Sequence, residues 1–302
     1  MSKKALEAGI HVVCEKPLAT TIEEAEELVQ LAKEKGLVNA VHFNIRYYPI
    51  VRQMRQMVRD GKIGNIYSII GSYLQDWLFY DTDYNWRLEP DKSGDSRAVA
   101  DIGSHLIDLL EYVTGLEITA VFADMNTVHE VRKKPLKAIE TYSGKILKPE
   151  DYEDVSIDTE DYASILLRFN NGNKGVVTVS QVAAGRKNQL AIEIAGATQN
   201  MKWNSELPNQ LWIGNRDEPN QLLMRDPSLF TKEAAAIVTL PGGHNEGFAD
   251  TSKQMFKEVY AAVAEGKQPD EPLFPTFEDG LRELILCERI LESHRGEKWV
   301  TV

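Results

Sequence analysis

Cysteine is scarce in this sequence: Cys14 and Cys287 are the only two among 302 residues. They form neither a disulfide framework nor a Cys-x-x-Cys motif, and both are expected as small buried apolar side chains of a cytoplasmic protein. The six histidines, His11, His42, His105, His129, His244 and His294, contain no His-x-x-x-His pair, so no metal site is expected. No apolar run approaches the roughly 18 residues of a membrane span, and Glu7 and His11 interrupt the Lys3-Lys4 start too early for a signal peptide. Positive charge is short as well. With 34 Lys and Arg against 46 Asp and Glu, the formal charge of −12 disfavours nucleic acid or an anionic membrane as a partner. Also missing is any G-x-G-x-x-G, the phosphate-binding turn of dinucleotide folds: Gly9 and Gly36 stand singly, each closing a predicted helix. Repeats and low-complexity tracts are absent, and 43% hydrophobic residues suit a two-domain globular chain.

Among what is present, Ala100 to Leu109 holds Asp101 and His105 four residues apart in an apolar-periodic segment that reads as helix. One turn separates them, so both share a face. An imidazole beside a carboxylate can move a proton near neutral pH. By itself this spacing also describes an ordinary solvated helix pair. Gly9 to Leu18 is an apolar run stopping at Glu15-Lys16-Pro17. It reads as a buried parallel strand, with Pro17 keeping Lys16 extended at the carboxyl end, where ligands of open α/β sheets bind. By itself a surface lysine before a proline would look the same.

The intervening pattern gives the fold class. Thr21 to Lys35 is a helix capped by Thr20 or Thr21, with Glu23 and Glu24 in its first turn and a buried stripe of Ala25, Leu28, Val29 and Ala32. Leu37 to Phe43 follows as a second buried strand, completing half of a doubly wound unit. From about Asn44 the pattern changes to helix Ile50–Asp60, strand Ile66–Leu74, an aromatic segment Gln75–Pro90 and helix Asp101–Thr114. Alternating strands Ile118–Met125, Asp161–Phe169, Lys174–Val182 and Gln189–Ala195 come next, with a hairpin turn at Asn170 to Asn173. Lys133 to Asp158 reads as a polar excursion between strands, and Ser252–Gly266 and Thr276–His294 as helices. The expected architecture is α/β plus α+β: a partial Rossmann-type parallel sheet over residues 1–45, then a larger, mostly antiparallel sheet domain with helices over 46–302.

Glu15-Lys16-Pro17 followed by Asp101-x-x-Ser104-His105 is more specific than either part. Together with Val41-His42-Phe43-Asn44-Ile45-Arg46-Tyr47-Tyr48-Pro49, Gly61-Lys62-Ile63-Gly64 and Pro275-Thr276-Phe277-Glu278-Asp279-Gly280-Leu281, it resembles the glucose-fructose oxidoreductase, inositol dehydrogenase and rhizopine-catabolism (Gfo/Idh/MocA) family of nicotinamide-dependent sugar and cyclitol dehydrogenases. The resemblance runs the length of the chain, and it implies that the last helix, 276–294, packs back on the first domain. It implies a complete dinucleotide fold opening on a glycine-rich turn, which these residues lack. Ser2 to Ala8 then correspond to the helix before the fourth strand. Either Met1 is an internal methionine of a longer protein, or a partner chain covers the apolar edge at Ile10 to Cys14.

By the same resemblance Lys16, Asp101 and His105 line a catalytic pocket beside the nicotinamide. His105 would take the hydroxyl proton of a secondary alcohol, Asp101 would orient substrate or stabilise imidazolium, and Lys16 would donate to the reacting oxygen. Glu15, Lys16, Pro17, Asn44 and Arg46 are the expected cofactor-side residues, although Asn44 and Arg46 also suit a helix cap and an exposed arginine. Trp77, Trp86 and Arg87, in an aromatic and acidic stretch from Asp76, suit a carbohydrate wall or a loop anchoring one domain on the other. His244 is expected either to reach the site from the second domain or to stay a solvated loop histidine, and Asp108 to stabilise its own helix. The implied protein is an NAD- or NADP-dependent oxidoreductase of a sugar, sugar derivative or cyclitol, assembled as a homodimer or homotetramer. The alternatives are a truncated, non-catalytic assembly module that keeps a sugar pocket, and an NAD-assisted lyase or glycosidase.

Overall fold

The structure, a computed structural model, describes residues 1–136 and 148–302. Its first unit contains α1 (Ser2–Glu7), β1 (Val12–Cys14), α2 (Ile22–Lys35) and β2 (Asn39–Val41). Thr21 caps α2 by accepting the Glu24 amide at 3.2 Å, and Gly36 ends it in the left-handed region at φ 61°. Ala25, Leu28, Val29 and Ala32 are buried as the periodicity requires. β1 and β2 pair in parallel, Val13 opposite Ala40. Both strands are shorter than their apolar runs, and β1 is not the buried strand expected. With β2 as its only paired neighbour among the described residues, β1 leaves Val13 exposed, and Ile10 just before it is exposed too.

The second unit begins with α3 (Pro49–Arg59), β3 (Ile66–Leu74), the single turn α4 (Pro90–Ser93) and α5 (Ser104–Thr114). The strands β4 (Ile118–Asn126), β5 (Val131–Pro135), β6 (Tyr152–Ser156), β7 (Tyr162–Phe169), β8 (Lys174–Ser180), β9 (Gln189–Gly196), β10 (Asn200–Asn204), β11 (Gln210–Gly214) and β12 (Gln221–Met224) follow. The helices α6 (Lys232–Ala235), α7 (Phe248–Glu265) and α8 (Phe277–Gly296) and the strand β13 (Val300–Thr301) complete the chain. Nine strands form one sheet in the order β12-β11-β10-β9-β3-β8-β7-β4-β13. Alternation puts Ile69 and Tyr73 of β3, Ala163, Ile165 and Leu167 of β7, and Leu190, Ile192 and Ile194 of β9 on the helix-covered face. The sheet is mixed, since β3 and β8 run parallel at its centre. The excursion expected over Lys133–Asp158 closes instead as a hairpin arm, β5 against β6; residues 137–147 of that expectation lie outside the described residues.

Two helices pack across both units. α8 packs Phe277 into the α1–α2 core while Leu286 and Ile290 enter the core of the large sheet, so the last helix does return to the first unit. α7 returns as well, a contact its amphipathic pattern does not foretell: Met255, Val259 and Ala262 cover Val38 and Ala40 on the opposite face of β2. Among the described residues no helix is long and apolar enough to cross a membrane.

Candidate functional site

The expected helix at Asp101 is interrupted. Val99–Gly103 winds as a π-helix before α5 begins at Ser104, a wider turn often found at functional sites. Glu160 fixes its start, one carboxylate oxygen accepting from Ser96 Oγ at 2.8 Å and from the amides of Arg97 at 2.9 Å and Val99 at 2.8 Å. α5 is seated closely on the sheet because Gly71 of β3 has no side chain: a Cβ there would lie 2.9 Å from Leu106.

Lys16 leaves the carboxyl end of β1 and its Nζ donates to both Oδ1 and the carbonyl oxygen of Asp101, each at 2.6 Å. The Lys16–Pro17 peptide is cis. Asp101 also accepts from Arg87 Nε at 3.2 Å on Oδ1 and from Gln181 Nε2 at 3.0 Å on Oδ2. Burial pushes the Asp101 carboxyl upward, but the Lys16 and Arg87 cations outweigh it and hold the group below the usual carboxylate range. Among the described residues no hydrogen bond joins Asp101 to His105, although the charge of each acts on the other.

His105 is packed edge-on against Phe43, ring centroids 5.4 Å apart, and tilted against Tyr73 at 6.4 Å. Burial, reinforced by the nearby Lys16 charge and opposed by Asp101, pushes its imidazole down to about 3. The ring is therefore neutral at physiological pH. Its Nδ1 is buried without a partner.

A cavity of about 630 Å³ opens beside this cluster, lined by Lys16, Pro17, Trp86, Arg87, Ser96 and Asp101 among others. Trp86 and Arg87 stand together on its wall, the guanidinium 4.7 Å from the indole centroid. His105 is not on the wall, and neither is Trp77, 39% exposed in the same aromatic segment.

Of the other expected members Glu15 also lines the cavity, whereas Asn44, Arg46 and His244 do not. The Glu15 carboxylate is mostly exposed and meets His42 Nδ1 at 3.1 Å, while His42 Nε2 lies 3.0 Å from Ser252 Oγ. Asn44 is buried, donating to Thr251 Oγ1 at 2.7 Å and so tying the turn after β2 to α7. Arg46 is neither an exposed arginine nor a free cofactor ligand: its buried guanidinium grips Asp108 through two nitrogens, reaches Asp279 at 2.8 Å and lies over Tyr112. Asp108 accordingly serves this joint. His244 is exposed in a loop whose carbonyls are held by Arg225, and it does not line the cavity.

Sequence reasoning missed Gln181 and Arg97. Gln181 directly follows the carboxyl end of β8, the kind of position that attracts ligands in α/β sheets, but its strand reads as plain alternation. Arg97 belongs to no motif, yet it is fully buried on Asp161 at 2.6 Å, and Arg132 reaches the same oxygen at 2.7 Å. Among the described residues no cluster of three or more His, Cys, Asp or Glu is arranged to hold a metal ion.

Compared with known proteins, residues 1–43 match the oxidoreductase family with an NAD-binding Rossmann fold, and residues 51–201 match the GFO/IDH/MocA C-terminal domain. Levoglucosan dehydrogenase of Pseudarthrobacter phenanthrenivorans is 31% identical over 304 residues, which span 99% of this chain and 75% of the relative. A solved levoglucosan dehydrogenase in complex with NADH and L-sorbose superposes with a TM-score of 0.86 at 30% identity, over 100% of this chain and 75% of the other. An inositol dehydrogenase homologue from Azotobacter vinelandii, complexed with NAD+, gives a TM-score of 0.84 at 26% identity, over 100% and 74%.

Proposed function

Because the chain belongs to the Gfo/Idh/MocA oxidoreductase family, we propose that it is an NAD(P)-dependent dehydrogenase acting on a secondary alcohol of a sugar, sugar derivative or cyclitol. The observation that carries this reading is the Lys16 ammonium seated on Asp101 at the wall of the 630 Å³ cavity. Relatives named as levoglucosan and inositol dehydrogenases support the substrate class.

The residues fit the nicotinamide end of the cofactor. Lys16 and Pro17 form cavity wall at the carboxyl end of β1, and the neighbouring His105 Nδ1 is a buried polar atom without a partner. The amino end of α2 carries Glu23 and Glu24, which repel an anion such as the cofactor's diphosphate from that helix end. When bound, NAD(P) supplies the hydride acceptor. Lys16 Nζ turns from Asp101 toward the substrate hydroxyl and stabilises the negative charge that grows on oxygen as its proton leaves. His105, neutral in the free chain, takes that proton once the charge left on the substrate oxygen offsets the burial that holds its imidazole low. With Nδ1 buried, exchange falls to Nε2. Asp101, kept anionic, holds the Lys16 ammonium in place. Trp86 offers an apolar ring to the C–H face of a sugar, and Arg87 offers donors to its hydroxyls.

The carboxylates of Glu23 and Glu24 favour a second reading, a module that keeps the sugar pocket but binds no dinucleotide. Fluorescence titration with NADH separates the two. If binding occurs, a sugar panel assayed for reduced cofactor should give accumulation with at least one member. Lys16→Ala and His105→Ala should each cut that rate by about a hundredfold. Rates equal to the parent's would remove both residues from the chemistry.

Self-association is also part of this reading. Phe122, Leu166, Val176 and Ile70 are aligned across β4, β7, β8 and β3, and Leu166 and Ile70 are about half exposed. Such a row on the uncovered sheet face supports a homodimer or homotetramer.

A further inference from the structure

Gln181 is buried, and its amide faces two partners of opposite chemistry. Its Oε1 accepts from Arg97 Nη1 at 3.0 Å, and its Nε2 donates to Asp101 Oδ2 at 3.0 Å. A guanidinium only donates, so Oε1 has to face Arg97 and the NH₂ is left for Asp101. Arg97 cannot turn to offer anything else. Its Nε donates to Thr159 Oγ1 at 3.2 Å, and its Nη2 to the Thr159 carbonyl at 3.2 Å and to Asp161 Oδ1 at 2.6 Å. The backbone of Gln181 is fixed as well, its amide donating to the Asp161 carbonyl at 3.0 Å and its carbonyl accepting the Leu78 amide at 3.1 Å.

From this geometry we infer that Gln181 is a positioning residue: oriented by Arg97, it presents a fixed donor that keeps Asp101 Oδ2 unprotonated and turns Oδ1 toward Lys16 and Arg87. A protonated Oδ2 would set O–H against N–H, which the buried amide cannot relieve by flipping while Arg97 holds its oxygen. The same chain of contacts continues through Asp161 to Arg132, whose guanidinium donates to the carbonyls of Leu78 at 2.9 Å, Tyr80 at 2.8 Å and Asp83 at 3.1 Å. Gln181 therefore lies between the reacting carboxylate and the aromatic segment that ends at Trp86 and Arg87. The kinetic consequence rests on the dehydrogenase reading, whereas the orientation of Asp101 does not.

The test follows the Asp101 carboxyl by carbon-13 NMR in the full chain, without cofactor or sugar, in the parent, Gln181→Glu and Gln181→Met. The Gln181→Glu change would place two carboxyls within hydrogen-bonding distance, where both cannot ionise, so the Asp101 midpoint should rise by about one unit or more. The Gln181→Met change removes the donor and should raise the midpoint by less. With a turned-over sugar, the acid limb of the kcat profile should move the same way in Gln181→Glu. In the parent, the Gln181 side-chain amide resonances should shift with the Asp101 titration, a readout that needs no variant to fold. Folded variants with the parent's Asp101 midpoint, or parental amide resonances indifferent to that titration, would overturn the inference. A midpoint that moves in a chain that oxidises no sugar would uphold the positioning role and reject the dehydrogenase reading.

Discussion

At the scale of single residues, His105 carries a consequence separate from catalysis. Its folded imidazole titrates at about 3, below the ordinary histidine value of 6.5. Between those values the unfolded chain takes up a proton that the folded chain refuses, so stability falls as pH drops through that window and is unaffected by this group above it. Each pH unit inside the window costs about 1.4 kcal/mol. Replacing His105 with Gln should therefore narrow the stability gap between pH 7 and pH 5 by roughly 2 kcal/mol in urea titrations; an unchanged gap would mean that the imidazole protonates freely in the fold. Lys16, Asp101 and His105 were drawn together by the resemblance of two distant motifs, neither specific by itself, and Lys16 does meet Asp101 in the fold. Arg46, by contrast, was misread. Its partners Asp108 and Asp279 lie 62 and 233 residues further on, and nothing in the sequence near Arg46 announces that two carboxylates converge on it.

At the scale of elements, the aromatic segment before Arg87 has little regular structure and is held largely by charge. Asp161 is the anion shared by Arg97 and Arg132, all three side chains are fully buried, and Arg132 in turn satisfies carbonyls of the segment. Asp161→Asn would leave two buried guanidiniums without their shared anion, a loss on the order of 3–5 kcal/mol. Chemical denaturation would register it, and a variant as stable as the parent would show the pair to be dispensable. The sequence displayed β3, β7, β8 and β9 clearly because each alternates over seven to nine residues. It did not display β10, β11 and β12, four or five residues each, which are too short for alternation to stand out. Nor did it reveal the parallel β3–β8 pair, since strand partners separated by several elements leave no local trace.

At the scale of the whole molecule, α8 serves both units, and Gly280 permits its close approach to the first. A Cβ there would lie 2.7 Å from Val41 Cγ2 and 2.9 Å from Leu18 Cβ. Gly280→Ala should cost about 1–3 kcal/mol through overpacking. A lower melting temperature than the parent's is expected, and an equal or higher one would show that the helix can back away freely. The terminal helix itself was legible in the sequence, but its return to the first unit was implied only by the family resemblance; the return of α7 was not legible at all, because an amphipathic helix does not state which sheet it covers. Arg46 adds a bond across the same junction, clamping α5 and α8 at once from the turn that leaves β2. A joint fastened at three points has no free hinge, so small molecules have to enter through a doorway that stays open, with only the swing of side chains such as Trp86 to admit or retain them.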